Sequence, residues 1–137
     1  MKLFKYEIYS LAILRIITAF LYMQHGAQKL FQYPPGGHHQ GPFELLSLAG
    51  VAGVLEFFGG LCILLGLRTR TVAFLLSGQM AVAYFMFYAT KDFFPVVNGG
   101  ELAIMFCFVF FYFIFSGPGA WALDNVIKTR LNRSKVD

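Results

Sequence analysis

The sequence predicts an all-α integral membrane protein, a four-helix bundle with both termini on the cytoplasmic side. Three observations carry this reading. Of the 137 residues 58% are hydrophobic and only 13% are charged, too little polar surface to cover a soluble globule of this length. Four windows reach the roughly 20 mainly apolar residues that a membrane helix needs: 8–31, 44–66, 71–90 and 98–116. The basic residues are also one-sided. With an even number of spans, Lys2, Lys5, Arg68, Arg70, Lys128, Arg130, Arg133 and Lys135 share one side and only Lys29 and Lys91 the other, which the positive-inside rule assigns to the cytoplasm and the exterior. The net charge of +4 then lies against anionic headgroups. No nucleic-acid module accompanies it.

The first window carries Arg15 within its apolar stretch and no small-x-small cleavage site after it, so it reads as a retained span and not as a signal peptide. At helical spacing Arg15, Thr18, Tyr22, His25 and Lys29 fall in one narrow arc, a polar seam that should face the bundle. Pro34, Pro35, Gly36, Gly37, Gly41 and Pro42 then break the chain. In the second window Ala49, Ala52, Gly53, Gly59 and Gly60 supply small faces for close helix packing. The turn from Leu67 to Arg70 is short enough to force an antiparallel hairpin, and Asp92 with Pro95 ends the third window. Phe106, Phe108, Phe110, Phe111, Phe113 and Phe115 go all round the fourth, as expected of lipid contact. Gly117-Pro118-Gly119 closes it. Residues 120–137 begin with Trp121, suited to an interfacial anchor, and continue as a basic cytoplasmic tail expected to lack fixed structure. One transmembrane domain thus accounts for the chain.

Glu56 is the sharpest chemical signal. It lies at the centre of the uncharged run from Leu45 to Leu67, where an acid costs roughly 2.5 to 3.5 kcal/mol unless it finds a partner, water or a proton. Burial and a neighbouring cation act in opposite directions on its charge. Two readings stand side by side: a structural bond to Arg15 or Gln79, and a protonatable group on a proton or substrate path. A helical rise of about 1.5 Å per residue puts Lys29, Glu101 and His25 within about 10 Å of the outer face. Tyr84 falls near that depth, Glu56 and Gln79 at about 16 to 18 Å, and Arg15 deeper still.

His25, Lys29, Tyr84 and Glu101 can therefore converge near the outer leaflet. Donors, an acceptor and an aromatic wall suit a quinone headgroup, whose carbonyls accept hydrogen bonds and whose reduction consumes protons. Each member also has a plainer reading. Lys29 can snorkel, Glu101 suits a helix N-terminus, and His25 can bond between helices.

Other chemistries find less. His38 and His39 are adjacent on a Gly/Pro-rich loop without further ligands at metal spacing. His25 has no second axial histidine at its depth for a haem. Cys62 and Cys107 differ in depth by roughly 13 Å on the same helical rise and read as packing residues, not a disulfide. Walker loops, dinucleotide fingerprints and nucleophile triads are not found.

His25-Gly26 with Lys29-Leu30, Glu56 with Gly59-Gly60, Gly66 to Arg70, Gly78 to Ala83, Phe93-Phe94, Asn98-Gly99-Gly100-Glu101, and Gly117-Pro118-Gly119 with Trp121, Leu123 and Asp124 together resemble the DoxX family. Ala122, where a serine is common, and the Pro-Gly-His-His loop depart from its pattern. The resemblance implies a small four-helix protein of the bacterial inner membrane. It also implies a link to quinone oxidoreductases, since relatives are named as subunits of a terminal quinol oxidase or a thiosulfate:quinone oxidoreductase. Another is described as the membrane anchor of an oxidoreductase complex with superoxide dismutase and a sulfurtransferase.

On that reading the chain is an oxidoreductase subunit with a polar pocket for a lipophilic redox substrate. Glu56 and His25 would transfer protons, and Lys29, Tyr84, Glu101, Gln79 and Arg15 would bind. A quinone is the cofactor in view and any further redox centre is borrowed from a partner. A homo-oligomer and soluble or membrane oxidoreductase partners stay open. A non-catalytic membrane scaffold and a small-solute transporter are the competing readings.

Overall fold

The computed structural model describes residues 4–36 and 44–134, and His38 and His39 lie outside them. The described residues are helical, with no strand. Three helices are long and apolar enough to cross a membrane: α1 (Phe4–Phe31), of which Tyr6–Phe31 is the spanning part, α2 (Leu48–Leu65) and α3 (Thr69–Tyr88). A shorter apolar helix, α4 (Glu101–Ser116), follows a single helical turn at Pro95–Asn98, and α5 (Leu123–Arg133) ends the described chain. α1 packs along α2 and α3 packs along α4.

The boundaries differ from the expected windows where a side chain caps the backbone. α2 begins at Leu48 because the Ser47 hydroxyl accepts the Gly50 N–H at 3.0 Å, one of the orphan donors of a helix start. α3 begins at Thr69 because the distant Asp124 carboxylate accepts the backbone N–H of Arg68 at 2.7 Å and of Thr69 at 2.9 Å. Before α4 the chain breaks at Gly99, and Asn98 folds back so that its side-chain oxygen accepts the Gly100 N–H at 2.7 Å. α2 stops in a Schellman turn: Leu67 N–H donates to Cys62 and Gly66 N–H to Ile63, with Gly66 at a φ of 67°. The expected unstructured tail is instead the helix α5, fixed to this turn by Asp124 N–H donating to Gly66 O at 2.9 Å.

The polar seam of α1 does face inward. Arg15, Thr18 and Tyr22 are buried, beside a core of Ala19, Ile63, Ala73, Leu76 and Met80. The phenylalanines of α4 divide by helical phase. Phe106, Phe110 and Phe113 enter the core and Tyr22 meets the rings of the first two edge-on, while Phe108, Phe111 and Phe115 stay exposed for lipid. Cys62 and Cys107 are both free.

The glycines bring α1 against α2. A Cβ on Gly26 would stand 2.9 Å from Gly53 O and against the Phe57 backbone, and Gly53 itself faces the Lys29 and Leu30 side chains. Backbone cannot retreat as a side-chain tip can. Gly26→Ala is therefore expected to wedge the two helices apart and to cost about 2 kcal/mol, measured by unfolding in mixed micelles. An unchanged stability would show that the close approach at Gly26 is dispensable.

Candidate functional site

Lys29, in the last turn of α1, meets Glu56 of α2, Lys29 Nζ lying 2.5 Å from Glu56 Oε1. Their Cα atoms belong to different levels by helical rise, and the direction of helical side chains closes the gap. Every Cα–Cβ bond tilts toward its helix N-terminus, and α1 and α2 are antiparallel. The long stem of Lys29 thus leans along α1 toward Glu56, and Glu56 leans back along α2 toward Lys29. Gln79 of α3 completes the cluster, its Nε2 donating to Glu56 Oε1 at 3.3 Å and to Ala52 O at 3.4 Å.

Only one carboxylate oxygen is engaged. Glu56 is buried, 2% exposed, and its Oε2 has no hydrogen-bond partner, nor do the buried Tyr22 hydroxyl and Gln79 Oε1. Unpartnered buried polar atoms are uncommon and mark places where a ligand or water completes the bonding. Here they border two cavities. One, of about 80 Å³, is lined by Tyr22, His25, Glu56, Tyr88 and Phe106, among others. The other, of about 410 Å³, lies between α2 and α3 with walls that include Ala49, Ala52, Gln79, Val82, Met86 and Phe87. Glu56, Ala83 and Tyr88 belong to both.

Both cavities lie beside departures from α-helical winding. Leu55–Gly59 of α2, which carries Glu56, and Tyr84–Tyr88 of α3, which carries Tyr88, are π-helical turns. Such turns widen a helix by one residue and recur at functional sites. They reorient Glu56 and Tyr88 relative to an unbroken helix.

The remaining sequence-predicted residues go elsewhere or stay at the edge. His25 lines the smaller cavity, its ring edge-on to Phe106 at 5.9 Å. Tyr84 borders neither cavity; it stacks on Tyr88, and its hydroxyl accepts from Asn98 Nδ2 at 3.4 Å. Glu101 is exposed in the first turn of α4, where the helix dipole favours an acid. Arg15 is fully buried at the opposite end of the bundle. Its guanidinium donates to the carbonyls of Ile63 and Leu64 at the end of α2 and of Pro118, Ala120 and Trp121 after α4, at 2.5 to 3.1 Å. Tyr88 and the two π turns were not anticipated. Tyr88 lies one turn beyond Tyr84 on a segment rich in aromatics, and nothing in its composition distinguishes the two.

The DoxX family model matches residues 10–89, from the polar seam of α1 through Glu56 to the second π turn. The chain belongs to the DoxX family. A Haemophilus influenzae DoxX relative, named only as an uncharacterised protein, is 45% identical over 127 residues, covering 88% of this chain and 92% of its own. An uncharacterised membrane protein of Mycobacterium tuberculosis is 27% identical, covering 88% of this chain and 83% of its own. The inner membrane protein YqjF of Escherichia coli is 28% identical, covering 92% of this chain and 98% of its own. No solved structure matches this DoxX chain significantly. It is a membrane protein with bacterial membrane relatives.

Proposed function

We propose that this DoxX protein is the membrane subunit of an oxidoreductase system and that the α2/α3 cavity binds a lipophilic ring molecule of the quinol/quinone class. The carrying observation is the half-paired Glu56. Lys29 and Gln79 hold Oε1, leaving Oε2 to accept a hydrogen bond from within the bundle. A quinol hydroxyl is such a donor, and the largely apolar cavity of about 410 Å³ falls within the size range of small-ligand pockets. A quinol supplies two electrons and two protons, the electrons passing to a redox centre in a partner protein. Within this chain Lys29 and Gln79 hold Oε1, and Glu56 Oε2 takes the two protons one at a time, passing the first inward before it accepts the second. His25 and the Tyr22 hydroxyl, on the smaller cavity, offer the next positions for that proton.

The same proposal places α4 as a fourth span, with both termini in the cytoplasm. Its 16 residues cover about 24 Å, and the helical turn before it extends the apolar stretch. Arg68, Arg70, Lys128, Arg130 and Arg133 all lie toward the end that Arg15 ties together.

Infrared difference spectroscopy of proteoliposomes tests the proton role. Oxidising added quinol is expected to change a carboxylic-acid carbonyl band in the wild type and not in Glu56→Gln. A band that persists in Glu56→Gln assigns the proton elsewhere. The scaffold reading predicts no band in either protein.

A further inference from the structure

We propose that α5 lies flat on the bilayer surface and that the basic cavity it forms with the start of α3 seats the phosphate of an anionic phospholipid. This rests on the chain being embedded in a membrane and not on the quinol reading. α5 is two-sided: Leu123, Val126, Ile127 and Leu131 share one side of the helix and are 41 to 58% exposed. Lys128 and Arg133 flank that side, and Arg130 emerges within it, where a long stem can run along apolar surface and carry its charge to the headgroups. A short helix with an apolar face edged by Lys and Arg has the pattern of an interfacial helix. Trp121 precedes it, exposed and tilted against Tyr9 at a ring separation of 5.5 Å.

The cavity beneath is polar, about 430 Å³, and lined by Arg68, Arg70, Thr69, Asp124, Asn125 and Lys128, among others. Its acid is already engaged, since both Asp124 oxygens accept backbone N–H groups of Arg68 and Thr69. Arg70 donates through Nη1 to the carbonyls of Ile114 and Phe115 at the end of α4. Three cations against one capped carboxylate leave a positive basin at the level where α2 ends and α3 begins. In a membrane that level meets the lipid headgroups, so the complementary anion is a phospholipid phosphate. Asp124 and Arg15 bind α5 and its approach to the same turn, so the surface helix is held in register with the spans.

Trp121 is the single tryptophan of the chain and reports on this region directly. The full-length protein in phosphatidylcholine vesicles should be quenched more by a minor share of brominated phosphatidylglycerol than by the same share of brominated phosphatidylcholine. In Arg68→Gln/Lys128→Gln, both exposed positions, the excess should fall about fivefold for each charge removed. Lys91→Gln, on the opposite end, should keep it. Equal quenching by the two lipids, an excess that survives in the double variant, or Trp121 unquenched by either lipid would overturn the proposal. Inorganic phosphate should leave the excess intact, and its abolition would identify a free-phosphate site in place of a lipid one.

Discussion

Arg15→Ala is expected to lower stability by about 4 kcal/mol, the largest effect of any single substitution outside the cavity walls. The side chain is fully buried, and its five donations reach three separate segments: the end of α2, Pro118, and the Ala120–Trp121 link into α5. The carbonyls at the end of a helix have no intrahelical partners and carry the negative end of its dipole. A planar guanidinium serves several of them at once, whereas an ammonium is a compact point charge with three donors. Arg15→Lys should accordingly recover less than half of the loss. Unfolding in mixed micelles, followed by Trp121 fluorescence, measures both, because Trp121 supplies one of the five acceptors. Equal stability of Arg15→Lys and the wild type would show that charge alone, and not the fork of donors, joins these segments.

Substitution of Glu56 should separate binding from folding. Glu56→Gln keeps the shape and can still accept from Lys29, but it replaces a carboxylate oxygen with a donor. A hydrogen bond to a charged group contributes about 1.5 to 3 kcal/mol, so affinity for a quinol-type ligand should fall by at least about tenfold. Glu56→Met goes further. It leaves the partly exposed Lys29 ammonium without its partner, and breaking one half of a buried pair costs about 3 kcal/mol. The double variant Lys29→Met/Glu56→Met removes both charges and should regain most of that stability while still failing to bind. If ligand occupancy returned together with stability, the pair would be a structural fastening and the cavity's chemistry would lie in other residues.

Much of this fold was legible because lipid is a demanding solvent. Windows of apolar sequence, the one-sided cations and the inward arc of α1 follow from the cost of polar groups in hydrocarbon, and the seam from Arg15 to Lys29 is indeed turned inward. Glu56 stood out for the same reason. Gln79 was among its expected partners and does bond to it, whereas Lys29 was not, because depth along a helix was read from Cα positions, and Lys29 reaches Glu56 through two side chains that lean toward each other across antiparallel helices. Arg15 drew attention as a charge among apolar residues, yet its acceptors are backbone carbonyls, which carry no sequence signature. The same holds for Asp124, whose capping of α3 couples residues 55 positions apart, and for the two π turns, where one extra residue is accommodated without a marker in composition. α5 was masked by its own polarity. A short amphipathic helix outside the spans has little apolar content to distinguish it from a solvated tail until Asp124 and Gly66 fix its start.

The most direct test of the cavity reading is chemical identification of what the protein carries. Wild type and Glu56→Gln, purified in mild detergent from the same membranes, can be extracted and their lipophilic contents quantified by mass spectrometry. A prenylated quinone or a molecule of the same ring chemistry should accompany the wild type in near-equimolar amount and be depleted at least about tenfold in Glu56→Gln. Equal recovery from both proteins, or none from the wild type, would contradict a ligand held by the free oxygen of Glu56.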